Sequence, residues 1–462
     1  MASALLIGIQ VKVLGAQDAV RPAPPSDSAG TAGHSTDLSG LIARAIATNP
    51  SLRAATRRVD AAEAWASASG LLPDSMLMLG IQNLPLGEEK MTAAHAGPIP
   101  DAGPDPMTMN MIGLSQTVPF TGKLRRERAI ARHEAEAARA ALNFRARQIE
   151  REVRDAYYEL AFIDRALHVL SDNAGIITNT VRLTEALYGA GGARQSDVLR
   201  ARVEAGNLGG QAIALNEQRQ SVLARLNALL DLPSLTPVAE PVIPSRIVRA
   251  AIPVAADRVR FTSATLGARA ADSPIPAPAE LQEIALRRSP VLAEQAASLA
   301  AQAARVELAR RQYLPDFDFS LQYGQRDDRP DMLTATVSLP LPWQKRRKQN
   351  ALASGARSDL TALELEYRAS ENEIRSQVAR LHSELERSRS QLALYVGSIL
   401  PLARASLNSA TATYSAGQTP MLALLDAQAT VFNHELEYFR LLTEFARSLA
   451  ELEQVVGTEV LP

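Results

Sequence analysis

A series of landmarks occurs twice in this chain in the same order, and that duplication constrains the fold more than any other feature. The first copy reads Asn49–Pro50–Ser51–Leu52, a helical stretch, then Leu71–Leu72–Pro73–Asp74. The second reads Ser289–Pro290–Val291–Leu292, a similar stretch, then Tyr313–Leu314–Pro315–Asp316. Each Leu-Pro-Asp leads into a short alternating segment, a polar loop and a second alternating segment. That second segment ends on proline and a basic cluster: Pro119 before Lys123–Leu124–Arg125–Arg126, and Pro340 before Lys345–Arg346–Arg347–Lys348. Further on, Tyr188–Gly189–Ala190–Gly191 answers Tyr414–Ser415–Ala416–Gly417. The chain is one unit repeated.

The repeat sets the expected boundaries. Residues 1–36, rich in Pro, Gly and Ser, form a signal remnant or flexible start, and 37–232 the first copy, with strands 76–83 and 107–117 and a helical hairpin over 120–230. Residues 233–278 are a proline-rich linker or irregular belt, because proline removes backbone donors and fixes φ. The second copy spans 279–457, with strands 316–323 and 333–339 and a hairpin over 343–456, followed by a tail at 458–462.

From Phe120 to Leu232 there is no proline and the apolar pattern is helical. Ile149, Val153, Ala156, Leu160, Ile163, Leu167, Leu170, Ala174, Ile177, Val181, Thr184 and Tyr188 alternate steps of four and three, a heptad seam with one polar member. Ile374, Val378, Leu381, Leu385, Ser388, Leu392, Tyr395, Ile399 and Leu402 repeat it. A helix from Phe120 to Tyr188 is on the order of 100 Å long. Aromatics are only 4% of a chain that is 46% hydrophobic, which suits long helices packed through Ala and Leu.

Period two replaces this pattern in the strand segments. Phe317–Asp318–Phe319–Ser320–Leu321–Gln322–Tyr323 and Leu333–Thr334–Ala335–Thr336–Val337–Ser338–Leu339 alternate apolar and polar residues. Leu77, Leu79 and Ile81 share one face of their strand, as do Met107, Met109 and Met111 of theirs. Segments of about 8 to 10 residues, apolar outside and polar inside, are what a membrane barrel needs. Four strands alone leave edges unpaired in lipid, so several protomers must share one barrel, and about three copies with twelve strands is the smallest plausible ring. A soluble four-stranded sheet capped by helices is the competing reading.

Other classes are excluded by composition. With no cysteine there are no disulfides, thiolate sites or thiol nucleophiles, and no lipid anchor on cysteine. With 49 basic and 50 acidic residues there is no electrostatic reason to expect a nucleic-acid partner. No run of about 18 apolar residues marks a membrane-crossing helix. Met1–Gln17 carries the apolar stretch Ala4 to Ile9 and small residues at Gly15 and Ala16, but no basic start, so a secretory remnant and a disordered start both remain open. The six histidines are scattered and no phosphate loop or paired-carboxylate pattern occurs, so neither an enzyme nor a cofactor is expected. Met91 and His95, in the loop leading to Met107, are weak metal candidates, since thioether and imidazole suit Cu(I). The plainer expectation is that the strand methionines are apolar side chains facing lipid or core.

The duplicated order from Asp37 to Gly457 resembles the outer-membrane efflux proteins of the TolC type. The stretch Leu72 to Pro85, with Met109–Gln116 and Pro119–Leu124, is similar to their heavy-metal branch. The resemblance implies a mainly α fold with a small β portion, in which long coiled-coil hairpins form an α-barrel and four strands per protomer enter a trimeric twelve-stranded β-barrel. It implies a homotrimer in outer-membrane lipid, extending into the periplasm of a Gram-negative cell. It also implies a periplasmic adaptor and a proton-driven inner-membrane pump of the RND type as partners. By the same resemblance the tips, Tyr188, Gly189, Ala190 and Gly191 with Tyr414, Ser415, Ala416 and Gly417, dock the adaptor, and Tyr414, Asp426 and Asp197 serve the periplasmic gate. Thr419 and Ala423 stand where the family has a gate arginine and a second aspartate, so its full salt-bridged gate is not preserved. The implied function is an exit duct for heavy-metal cations. Drug or small-organic efflux, and a periplasmic adaptor or coiled-coil scaffold, are the alternatives.

Overall fold

The computed structural model describes residues 37–83, 108–252, 274–326, 330–340 and 345–461. Met91, His95 and Met107 lie outside the described residues, as do residues 1–36. In chain order the elements are α1 (Leu38–Thr48), α2 (Pro50–Ala68), β1 (Met76–Gln82), β2 (Met109–Val118), α3 (Lys123–Gly189), α4 (Gln195–Leu229) and α5 (Ser245–Ala251). Then follow α6 (Pro278–Arg288), α7 (Pro290–Arg311), β3 (Phe317–Gln325), β4 (Met332–Ser338), α8 (Lys345–Leu394), a π turn (Tyr395–Ile399), α9 (Leu400–Ser415) and α10 (Met421–Val456).

The landmarks mark the same backbone events in both copies. Pro50 and Pro290 open α2 and α7, where a missing N–H costs nothing, and the preceding Asn49 and Ser289 cap the helices. Asn49 Oδ1 accepts from Ser51 N–H at 3.0 Å, and Ser289 Oγ accepts from Leu292 N–H at 3.4 Å. The Leu-Pro-Asp and the basic cluster meet each other: Asp316 Oδ1 accepts from Lys123 Nζ at 2.7 Å and from Phe120 N–H at 2.8 Å. That contact joins the entry of β3 to the start of α3, and so ties the two repeats beside the sheet.

The sheet is antiparallel, in the order β1-β2-β3-β4. Register aligns Leu79 with Ile112, Ile112 with Tyr323 and Tyr323 with Leu333, and one step along it aligns Leu77, Leu114, Leu321 and Ala335. These residues, with Ile81, Phe319 and Val337, make one apolar face, and most of them are exposed. Among the described residues no strand pairs with the outer edge of β1 or β4.

Helix packing fills the rest. α3 packs on α2, α4, α7 and α10, and α8 packs on α7 and α10. Ile149, Val153, Ala156, Leu160 and Ile163 of the first seam are buried with Val378, Leu381, Leu385 and Leu392 of the second, around Phe445 of α10. The described part of the proline-rich belt lies on this core: Ile247 and Ala251 are buried, Arg389 Nε donates to Ala250 O at 3.0 Å, and Val242 N–H donates to the Tyr157 hydroxyl at 3.0 Å.

In the second repeat the seam departs from its heptad rule. Leu392 is buried, but Leu402 is exposed, and Leu400 and Ala403 are buried instead. The cause is the π turn, in which Leu400 N–H bonds to Tyr395 O, five residues back. One residue per turn too many advances the buried stripe by one position. Pro401, which has no N–H to give an α-helical ladder, sits directly after it. The shifted stripe then runs Leu400, Ala403, Leu407, Ala410 and Tyr414.

A buried charge closes this part of the fold. Glu453 accepts from Arg154 Nη1 at 2.8 Å and from Val460 N–H at 3.3 Å. Burial pushes its carboxyl above the usual carboxylate range, with Arg154 pulling the other way. A raised carboxyl pKa favours the folded state fully at low pH and loses that contribution as pH rises through the raised value. Glu453→Gln is therefore expected to flatten the decline of the melting temperature just above the ordinary carboxylate range. A melting series across that range, with an unchanged slope in the variant, would refute the assignment.

Candidate gate at the hairpin tips

Both hairpin tips close by the same turn. In the first, Gly191 N–H donates to Tyr188 O at 3.0 Å and Gly192 N–H to Leu187 O at 2.8 Å. In the second, Gly417 N–H donates to Tyr414 O at 2.9 Å and Gln418 N–H to Thr413 O at 2.9 Å. These are Schellman bonds, and they need one residue in the left-handed region. Gly191 at φ 76° and Gly417 at φ 72° supply it. Gly189 and Ser415 still belong to their helices, and Tyr188, Gly189, Ala190, Ser415 and Ala416 are exposed around the turns.

The two tyrosines part company. Tyr188 is 49% exposed, whereas Tyr414 is 5% exposed. The π turn has rotated Tyr414 inward, where it packs with Ala201, Met421 and Leu424. Its hydroxyl lies 3.2 Å from Thr184 Oγ1, which itself donates to Thr180 O at 2.8 Å. The Thr184 proton is thereby used, so the tyrosine donates. Tyr414 thus clips the second hairpin onto the first. Thr184, read in the sequence only as the polar member of a seam, is its partner. Tyr414→Phe is expected to keep the packing and lose one hydrogen bond, about 1 kcal/mol. Thermal unfolding checks this; a loss no greater in wild type than in Thr184→Val would show that the pair does not couple.

The charges near the tips are distributed unequally. Asp197, in the first turn of α4, accepts from Arg194 N–H at 3.3 Å, which uses it to cap that helix. Glu185 and Arg202 pair at 2.6 Å between α3 and α4. In the second hairpin Asp426 is the only acidic or basic residue between Arg404 and His434. It is exposed, and among the described residues no ion pair to it is found. Thr419 Oγ1 lies 3.0 Å from Thr413 Oγ1, and Ala423 is exposed. The second tip is therefore neutral but for one carboxylate per chain.

Sequence reading missed the ion pairs that bolt the helices together. Asp164 takes Arg219 in two contacts, at 2.5 and 3.3 Å, linking α3 to α4. Asp155 accepts from Arg225 at 3.3 Å and also from Arg447, linking α3 to α4 and α10. Asp155 and Arg447 are 292 residues apart, and no local pattern announces the pair. Among the described residues no group of three or more His, Asp or Glu is placed to hold a metal ion, and no helix is long and apolar enough to cross a membrane.

The sequence profile of the outer membrane efflux proteins matches residues 41–231 and 281–458, the two repeats on either side of the belt. The chain belongs to the outer membrane efflux protein family. That is a transport family, not an enzyme family. The chain is similar to the cobalt-zinc-cadmium resistance protein CzcC of Cupriavidus metallidurans, 28% identical over 184 residues, or 39% of this chain and 43% of that protein. The chain thus aligns with less than half the length of that relative. Solved membrane proteins have the same fold. The outer-membrane channel OprN superposes with a TM-score of 0.72 at 20% identity, over 92% of this chain and 91% of its own. VceC of Vibrio cholerae gives 0.71 at 18%, over 92% and 96%. CusC gives 0.70 at 16%, over 91% and 92%.

Proposed function

We propose that this outer membrane efflux protein is the exit duct of a three-part export system and carries heavy-metal cations. The observation that carries the reading is the sheet. It has one broad exposed apolar face, an opposite face of Ser, Thr, Gln and Met, and two outer edges with which no strand among the described residues pairs. An exposed apolar patch of this size has no place in water, and open edges have none in lipid. Three protomers pairing β4 to β1 of the next satisfy both conditions, with about twelve strands in the ring. The 67-residue α3 then extends on the order of 100 Å beneath the barrel, enough to reach across a periplasm. The turns at Gly191 and Gly417 would meet a periplasmic adaptor, and an inner-membrane pump would supply the energy.

Cation cargo is supported by the named role of the CzcC relative and by the ring of three Asp426 carboxylates that a trimer would place at an otherwise neutral tip. Detergent-solubilised protein is expected to have the mass of a trimer and to conduct in planar bilayers. Asp426→Ala is expected to raise leak conductance and lower the preference for cations. A soluble monomer without conductance would refute the channel. Gene deletion that sensitises cells to drugs but not to metals would replace the cargo.

A further inference from the structure

Six methionines lie among the described residues, and five of them, Met76, Met78, Met109, Met111 and Met332, share one face of the sheet. It is not the apolar face. Their neighbours on it are Gln82, Ser115, Ser320, Gln322, Thr334 and Thr336, while Leu, Ile, Phe, Tyr and Val occupy the other side. Lipid contact therefore does not account for the methionines.

Register arranges them in layers. Met76 is level with Ser115 and Ser320, Met78 with Gly113 and Gln322, Met111 with Gly80 and Gly324, and Met109 with Gln82. Met332 pairs with Gly324 from the far side. Thioethers thus occur in four successive layers, spread over about 20 Å at the rise of a strand. A glycine gives one of them room: a Cβ on Gly324 would lie 2.6 Å from Met109 Sδ. Gly324 is thus covered by the thioether of Met109 and stands in register between Met111 and Met332 on the neighbouring strands.

The remaining donors of this face are neutral hydroxyls and amides, and Asp318 is the only charged strand residue on it. Hard or borderline divalent ions prefer carboxylate, water or imidazole, whereas thioethers favour soft ions of low charge. We propose that this face is a thioether track for soft monovalent cations, Cu(I) or Ag(I), with its densest site where Met109, Met111 and Met332 surround Gly324. The inference rests on the channel reading in one respect, that the apolar face meets lipid and this face lines the lumen.

The test uses the full-length protein in nanodiscs, with methionine methyls labelled with carbon-13, titrated with silver nitrate. The five methyl resonances are expected to shift while that of Met421, buried at the tip, stays. Replacing all five by leucine is expected to keep bilayer conductance and to weaken silver binding by at least about tenfold. Zinc sulfate is expected to move none of the five. Resonances unmoved by silver, equal movement by zinc, or undiminished silver binding in the leucine variant would each overturn the track. If the leucine variant does not fold, the wild-type titration alone decides. A wild-type protein that conducts normally but leaves the five methyls unmoved fails only this inference. A protein that neither assembles nor conducts fails the channel reading itself.

Discussion

Arginine in place of Leu79 and Leu321 together keeps this protein out of the membrane. Both side chains stand on the apolar face, 72% and 51% exposed, in adjacent layers near the middle of the strands. A guanidinium on the lipid face near the bilayer midplane costs about 2–4 kcal/mol, and three protomers would carry two each. Gln322→Arg, one residue from Leu321 but on the opposite face, is expected to insert normally. Membrane fractionation and heat-dependent gel mobility read both variants. Equal insertion of the two would mean that the faces are not lipid and lumen.

Deleting Asn408 unclips the two hairpins, whereas deleting Gly397 with Pro401→Ala leaves them joined. The stripe Leu400, Ala403, Leu407, Ala410, Tyr414 follows a π turn that already holds one residue too many. Removing Gly397 restores a four-residue step from Tyr395 to the next buried position, and replacing Pro401 restores the missing N–H. Removing Asn408 instead turns Ala410 and Tyr414 away by about 100°. That exposes the tyrosine and empties its place beside Ala201 and Met421, a loss of about 3 kcal/mol. Thermal unfolding of the two deletions separates them. Similar stability would show that the π turn does not set the position of Tyr414.

The repeat was legible because each copy must perform the same backbone events, and those events demand particular residues. Pro50 and Pro290 start helices, Gly191 and Gly417 reverse them, and Asp316 is held by Lys123. The first seam was legible for the same reason, since Ile149 to Ile177 keep one period in one uninterrupted helix. In the second repeat the period persists in the letters but not in the backbone. Tyr395, Ile399 and Leu402 read as a continuation, and the π turn after Leu394 hands their place to Leu400 and Ala403. Tyr188 and Tyr414 occupy matching places in the sequence and opposite environments in the fold.

Elements, order and duplication thus belong to the sequence, because propensity, period and turn chemistry are local. Facing does not. Period two says that Met109 and Met111 share a side of their strand, and that Leu77, Leu79 and Ile81 share a side of theirs. It cannot say whether those sides are the same, since that depends on which residues stand opposite one another. The pairing of Leu79 with Ile112 decides it, placing the methionines on the polar side, and only the tertiary structure fixes that register.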